Sequence, residues 1–233
     1  MKPSCRSKVY VPDKTSIVST SDVDGVNALF GYYSPFSYPM RRRLNMVVEA
    51  MEKKTGYQAI LDAGFGCGIL LTDLYRKLAP GSGQLYGIDV HGQHEAVKAS
   101  LVAREGLEAG RIHLSNHSLF DLPFEDDTFD LIVSVSVLEH IQPNLLPACL
   151  REIRRVAKSN AEIILGFPTD SIFIRLLALL HKQDIRKNHP STHHDIFGAI
   201  AQAGFQIIEK SSFPRFAGPL TMHYNVRIRN ALR

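Results

Sequence analysis

Apolar and polar positions follow two registers along this chain. From Met40 onward, Met40, Leu44, Val47, Val48 and Met51 recur at three- and four-residue steps, and this single apolar stripe predicts a helix. Short apolar runs and helical stretches then take turns. "YQAILDA" (57–63) reads as a strand, and residues 69–78 as a helix stopped by Pro80 and Gly81. A second strand over 84–90, a second helix over 95–105 and a third strand over 111–116 follow. "FDLIVSVSVL" (129–138) is apolar enough to be a strand buried on both faces. A helix over 145–157 leads to a strand over 161–167. Residues 191–203 read as a helix after Pro190, with Thr192-x-x-Asp195 as its capping box. Residues 205–211 and 220–229 supply two last strands, paired as a hairpin. Seven strands alternating with helices predict an α/β fold, a seven-stranded, mostly parallel sheet with helices on both faces and a C-terminal antiparallel hairpin. Residues 1–39 lack a steady period and read as an arm, with one domain over 40–233.

Composition narrows this picture only slightly. A hydrophobic fraction of 45% and a charged fraction of 21% suit a chain that buries a real core. The net charge of +4 is too small to imply a nucleic-acid partner. Cys5, Cys67 and Cys149 have no CxxC spacing, which fits reduced thiols and a cytoplasmic setting. The opening residues lack a signal peptide's apolar stretch. The longest apolar run, 171–180, carries Arg175 and falls short of the about 20 residues a bilayer span needs. Contact with a membrane surface stays open, without being favoured.

The chemistry concentrates in "LDAGFGCGIL", residues 61–70. In parallel sheets ligands bind beyond the carboxyl ends of the strands, and this first strand–helix turn lies there. Glycine permits positive φ and lets a ligand reach the backbone, so three glycines at alternate positions point to a ligand. Dinucleotide sites use G-x-G-x-x-G, whereas here Ile69 stands where the third glycine would fall. Asp89, 21 positions after Gly68, ends the next strand, where a carboxylate accepts from both ribose hydroxyls. Taken alone, Asp89 fits NAD equally well.

The arrangement Asp62-x-Gly64-x-Gly66-x-Gly68 resembles motif I of the class I S-adenosylmethionine-dependent methyltransferases. "LFDLPFEDDTFDLIVSVSVLEHI" (119–141) resembles a segment typical of their type-11 family, whose members methylate quinones, sterols and natural products. The likeness covers about residues 57–168, the cofactor half, and the late "HHDIFGAIAQAGFQIIEKS" resembles the family's closing unit. It implies a Rossmann-like methyltransferase fold that binds S-adenosyl-L-methionine and releases S-adenosyl-L-homocysteine. By the same likeness Asp62 and the loop Gly64, Phe65, Gly66 and Gly68 hold the methionine moiety. Asp89 takes the ribose and Val90 packs on the adenine. Ser118 stands where the family has an acidic acceptor for the adenine amine, a neutral and weaker acceptor. The Leu119 backbone meets the ring nitrogen, and the Ser134 carbonyl meets the methionine amino group. Where the family has a Lys-Pro-Gly-Gly turn, this chain has Lys158, Ser159 and Asn160, and Asn160 can adopt the left-handed conformation instead of glycine.

Methyl transfer from a sulfonium is a one-step displacement, which needs no metal. The protein supplies proximity and alignment, worth about 7–11 kcal/mol in favourable cases. His140, in "LEHI", is either the base for a hydroxyl acceptor or a wall of the site. His193, His194 and Asp195 suggest a metal cluster at first sight, but neighbouring helical side chains diverge by about 100°, which favours a helix start. His223 and Tyr224 read as structural. No metal is assigned. The arm segment "FGYYSPFSYP" (30–39) and residues 171–180 are apolar and aromatic, which makes the arm a lid over the acceptor, with Tyr32, Tyr33 and Phe36 as walls. The acceptor is then a small apolar or aromatic molecule, methylated on O, N or C. Two alternatives stand: a membrane-associated lipid or quinone as acceptor, or a non-catalytic module that only binds the cofactor. A nucleic-acid enzyme is disfavoured, because Ser134–Val137 replaces the Asn/Asp-Pro-Pro-aromatic motif of base-amine methylation.

Overall fold

A computed structural model describes residues 8–11, 17–18, 37–51, 54–170, 189–215 and 218–230. Tyr32, Tyr33, Phe36 and the 171–180 segment lie outside these. The chain divides into two compact units, Met1–Asn116 and His117–Arg233.

The first unit begins with α1 (Tyr38–Ala50), whose stripe buries Leu44, Val47 and Val48, with Met51 just beyond its end. Arg42 and Glu49, seven residues apart, make a two-pronged ion pair at 3.0 and 3.2 Å. Three parallel strands follow in the spatial order β3–β2–β1: β1 (Ala59–Ala63), β2 (Gln84–Asp89) and β3 (Ile112–Asn116). Their register sets Ala63 opposite Ile88, and Asp89 opposite Asn116. Two helices join them, α2 (Leu71–Tyr75) and α3 (His94–Glu105), the latter ended by Gly106 at φ 67°. The helix predicted over 69–78 is thus only five residues long. Its far end is drawn into other pairings: the Lys77 carbonyl accepts from the Gly56 and Tyr57 amides, and Leu78 bridges Tyr57. Gly87 lies mid-strand because a Cβ there would stand 2.6 Å from Leu114 and 3.0 Å from the Phe65 ring.

In the second unit the strands run β4–β5–β7–β6. β4 (Phe129–Val135) is parallel to β5 (Ala157–Pro168), while β7 (His223–Asn230) and β6 (Phe205–Phe213) form the expected antiparallel hairpin. β4 ends three residues earlier than predicted. Ser136 adopts φ 59°, outside the extended range, and Leu138–His140 form a single 3₁₀ turn. β5 starts at Ala157, and Asn160 falls where its register with β4 shifts between Ala157 and Glu162; its φ is not positive, so no left-handed turn replaces the family's glycines.

α4 (Leu146–Val156) buries Leu146, Cys149, Leu150, Ile153 and Val156 on one side, where each buried Leu or Ile contributes about 1.5–3 kcal/mol. Burial pushes the Cys149 thiol up to about 12, with Glu152 adding to the effect, so this cysteine is an inert core residue. Arg155 binds the "LPFED" loop to this helix, donating to the carbonyls of Phe124 at 2.7 Å and Leu122 at 2.9 Å. Its hydrogen bond to Glu152 holds that carboxyl below the usual carboxylate range. α5 (His193–Gln202) begins with the predicted capping box, Thr192 and Asp195 each bonding the other's backbone amide. His223 is buried against Gly166, where a Cβ would come within 3.2 Å of its Nε2. Among the described residues no helix is long and apolar enough to cross a membrane.

Candidate cofactor site

β1 delivers Asp62 to the base of the glycine loop, and every glycine of that loop has left-handed backbone: Gly64 at φ 94°, Gly66 at 51° and Gly68 at 80°. L-residues pay strain at such angles, so the G-x-G-x-G pattern is a conformational requirement. Gly68 is also needed by packing, since a Cβ there would lie 2.8 Å from Val97 and 3.1 Å from Leu71. Gly66 differs, because a Cβ there would meet nothing within 4 Å. Its backbone borders open space.

The end of β2 holds the loop in place. The Ile88 carbonyl accepts from the Gly64 amide at 2.8 Å and from the Phe65 amide at 3.3 Å. Asp89 Oδ2 accepts from the Gly66 amide at 2.8 Å, and Oδ1 accepts from the His91 amide at 3.4 Å. His91 closes the circuit, with Nε2 2.9 Å from the Gly66 carbonyl and its ring edge-on to Phe65. Asp89 therefore positions the loop as well as presenting a carboxylate, which has about four acceptor sites in all. The sequence reading missed His91. Its signal was only its place two residues after Asp89.

Asp62 is of another kind. It is 2% exposed, and among the described residues no hydrogen bond reaches its carboxyl. Burial, reinforced by the Asp89 charge, raises its pKa to about 8. A carboxyl in this state gains most from a cation brought to it.

Asp62, Gly64, Phe65, Gly66, Gly68, Asp89 and Val90 thus gather at the ends of β1 and β2, with Val90 75% exposed beyond the strand. The remaining predicted residues that the structure describes belong to the second unit. The Ser118 hydroxyl already accepts from the Phe120 amide at 3.3 Å. Leu119 and Ser134 are buried, the latter within β4 opposite Leu165. His140 is exposed on the 3₁₀ turn.

Residues 60–160 match the family model described as "Methyltransferase domain". Over that stretch, less than half of its length, the chain is similar to that family. Ajmaline N-methyltransferase of Rauvolfia serpentina is 29% identical over 150 residues, 58% of this chain. The matched stretch is 49% of that relative's length, so this chain spans about half of it. The PH0226 protein of Pyrococcus horikoshii has a TM-score of 0.63 at 18% identity, covering 88% of this chain and 98% of its own. The [4+2]-cyclase SpnF has a TM-score of 0.61 at 16% identity, covering 97% and 99%. These solved structures share the Rossmann-like fold.

Proposed function

We propose that this chain is a methyltransferase that binds S-adenosyl-L-methionine on the Gly64–Gly68 loop and transfers its methyl group to a small apolar or aromatic molecule. The carrying observation is Asp62, a buried carboxyl that no hydrogen bond from a described residue reaches, at the foot of a loop where Gly66 borders open space. The residues present fit the cofactor. Asp62 would take the ammonium of its methionine moiety, Gly66 would admit its close approach, and Asp89 would accept from the ribose hydroxyls. When bound, the cofactor supplies an electrophilic methyl on a sulfonium. The chain's own work is to hold that group still, through the Asp89–Gly66–His91 circuit, and to neutralise its ammonium.

Two features support a small acceptor: the ajmaline N-methyltransferase likeness, and the aromatic composition of residues 30–39. A calorimetric titration with S-adenosylhomocysteine on wild type and Asp89→Ala, with NAD as control, tests the cofactor assignment. Micromolar binding that the mutant loses and NAD does not reproduce is the expected result. No binding to a folded wild type would overturn it. Because a cyclase also has this fold, a second assay follows methyl transfer to apolar amines and hydroxyls, and binding without transfer would leave only the binding module.

A further inference from the structure

The second unit carries a group of side chains that cofactor binding does not use. Glu139 and His140 leave β4 on the 3₁₀ turn, and His189 arrives 49 positions after His140, just ahead of Pro190. One ligand-type atom from each of these residues lies within 4.8 Å of the other two. The His140 and His189 rings meet edge to face, with centroids 4.9 Å apart and planes at 79°. Two hydrogen bonds clamp the segments together. The Ser191 amide donates to the Glu139 carbonyl at 3.3 Å, and the Ser191 hydroxyl donates to the Ile141 carbonyl at 2.5 Å. The three side chains are therefore held by backbone on both sides.

We propose that Glu139, His140 and His189 form a binding site for a divalent transition-metal ion. Two imidazoles and one carboxylate are the donor set that zinc, iron, manganese and cobalt favour, and they exclude neither water nor an incoming oxygen from the remaining positions. Burial grades across the site in a way that suits this. Glu139 is 2% exposed, His189 is half-buried and His140 is open to solvent. The open positions on the His140 side would accept water or an electron-rich oxygen of a small molecule. His140 then acts as a ligand, and its metal-bound nitrogen is not available as the base suggested by the sequence. The site stands independently of the cofactor reading, since none of its three residues belongs to the glycine loop.

The test is a titration of the full, chelator-treated chain with Co²⁺, read by its visible d–d absorption and by calorimetry, followed by displacement with Zn²⁺. One Co²⁺ per chain is expected, with His140→Ala and His189→Ala each weakening it about tenfold or more. Glu139→Gln should do the same. If that buried substitution prevents folding, the two histidine variants decide, because one is exposed and the other lies in a loop. His194→Ala serves as control, since the His193 and His194 rings lie only 4.0 Å apart on α5. Absence of Co²⁺ binding to wild type would overturn the proposal. So would binding that survives both histidine changes, or that follows His194.

Discussion

The ends of β1 and β2 each carry an aspartate, and the two carboxylates are treated in opposite ways. Asp89 is met by the protein, with amides of Gly66 and His91 on its two oxygens. Asp62 is sunk at 2% exposure with no hydrogen bond from a described residue, and its pKa rises to about 8. The first arrangement is stable by itself and shapes the loop. The second is costly without a ligand, and the difference divides the site into a scaffold and a receptor.

Removing the scaffold carboxylate gives the largest effect. Asp89→Ala frees the Gly66 amide and removes the proposed ribose acceptor, so affinity for S-adenosylhomocysteine should fall about 100-fold, with about 1.5–3 kcal/mol per bond to a charged group. An unchanged dissociation constant by calorimetry would erase the distinction between the two aspartates. The receptor carboxylate shows itself in stability against pH. Asp62 keeps its proton in the folded chain up to about pH 8 but loses it near 3.8 when unfolded, so the native state binds more protons across that window. Its contribution therefore falls as pH rises from about 4 to 8 and is flat above. Asp62→Asn lacks that penalty, and ligand-free thermal melts should show it gaining on wild type toward pH 8. Parallel melting curves across this range would count against the burial of Asp62 as a cost.

Two glycine substitutions sharpen the comparison. Gly68→Ala adds contact with Val97 and Leu71 to its left-handed strain, and should destabilise by about 1–3 kcal/mol beyond the strain alone. Gly66→Ala meets open space, so it should cost about 1 kcal/mol in denaturant titration while impairing cofactor binding more than Gly68→Ala does per unit of stability lost. The smallest effect belongs to His91→Ala. It removes one bond to the Gly66 carbonyl, worth about 1 kcal/mol, and should weaken binding about fivefold without altering the fold.

The glycine spacing and both aspartates were legible because their chemistry is local: positive φ needs glycine, and a strand end shows in the apolar run. Thr192 with Asp195 was legible for the same reason. What escaped depends on residues distant in sequence. The helix after the loop stops at Tyr75 because Gly56 and Tyr57 claim the Lys77 carbonyl. β4 stops at Val135 because of Ser136, whose neighbours Val135 and Val137 read as uninterrupted strand. β5 takes in Asn160, which falls where the register with β4 shifts, an irregularity set by the distant partner strand. His189 lies 49 positions beyond His140, so no spacing rule joins it to the "LEH" turn.

The most direct test of the account is the proton count on binding S-adenosylhomocysteine at pH 7, obtained by calorimetry in two buffers of different ionisation enthalpy. An ammonium placed beside Asp62 should drive that carboxyl to ionise, releasing about one proton in wild type and none in Asp62→Asn. Equal proton counts for the two proteins, with binding intact in both, would show that the buried carboxyl is not the cofactor's partner.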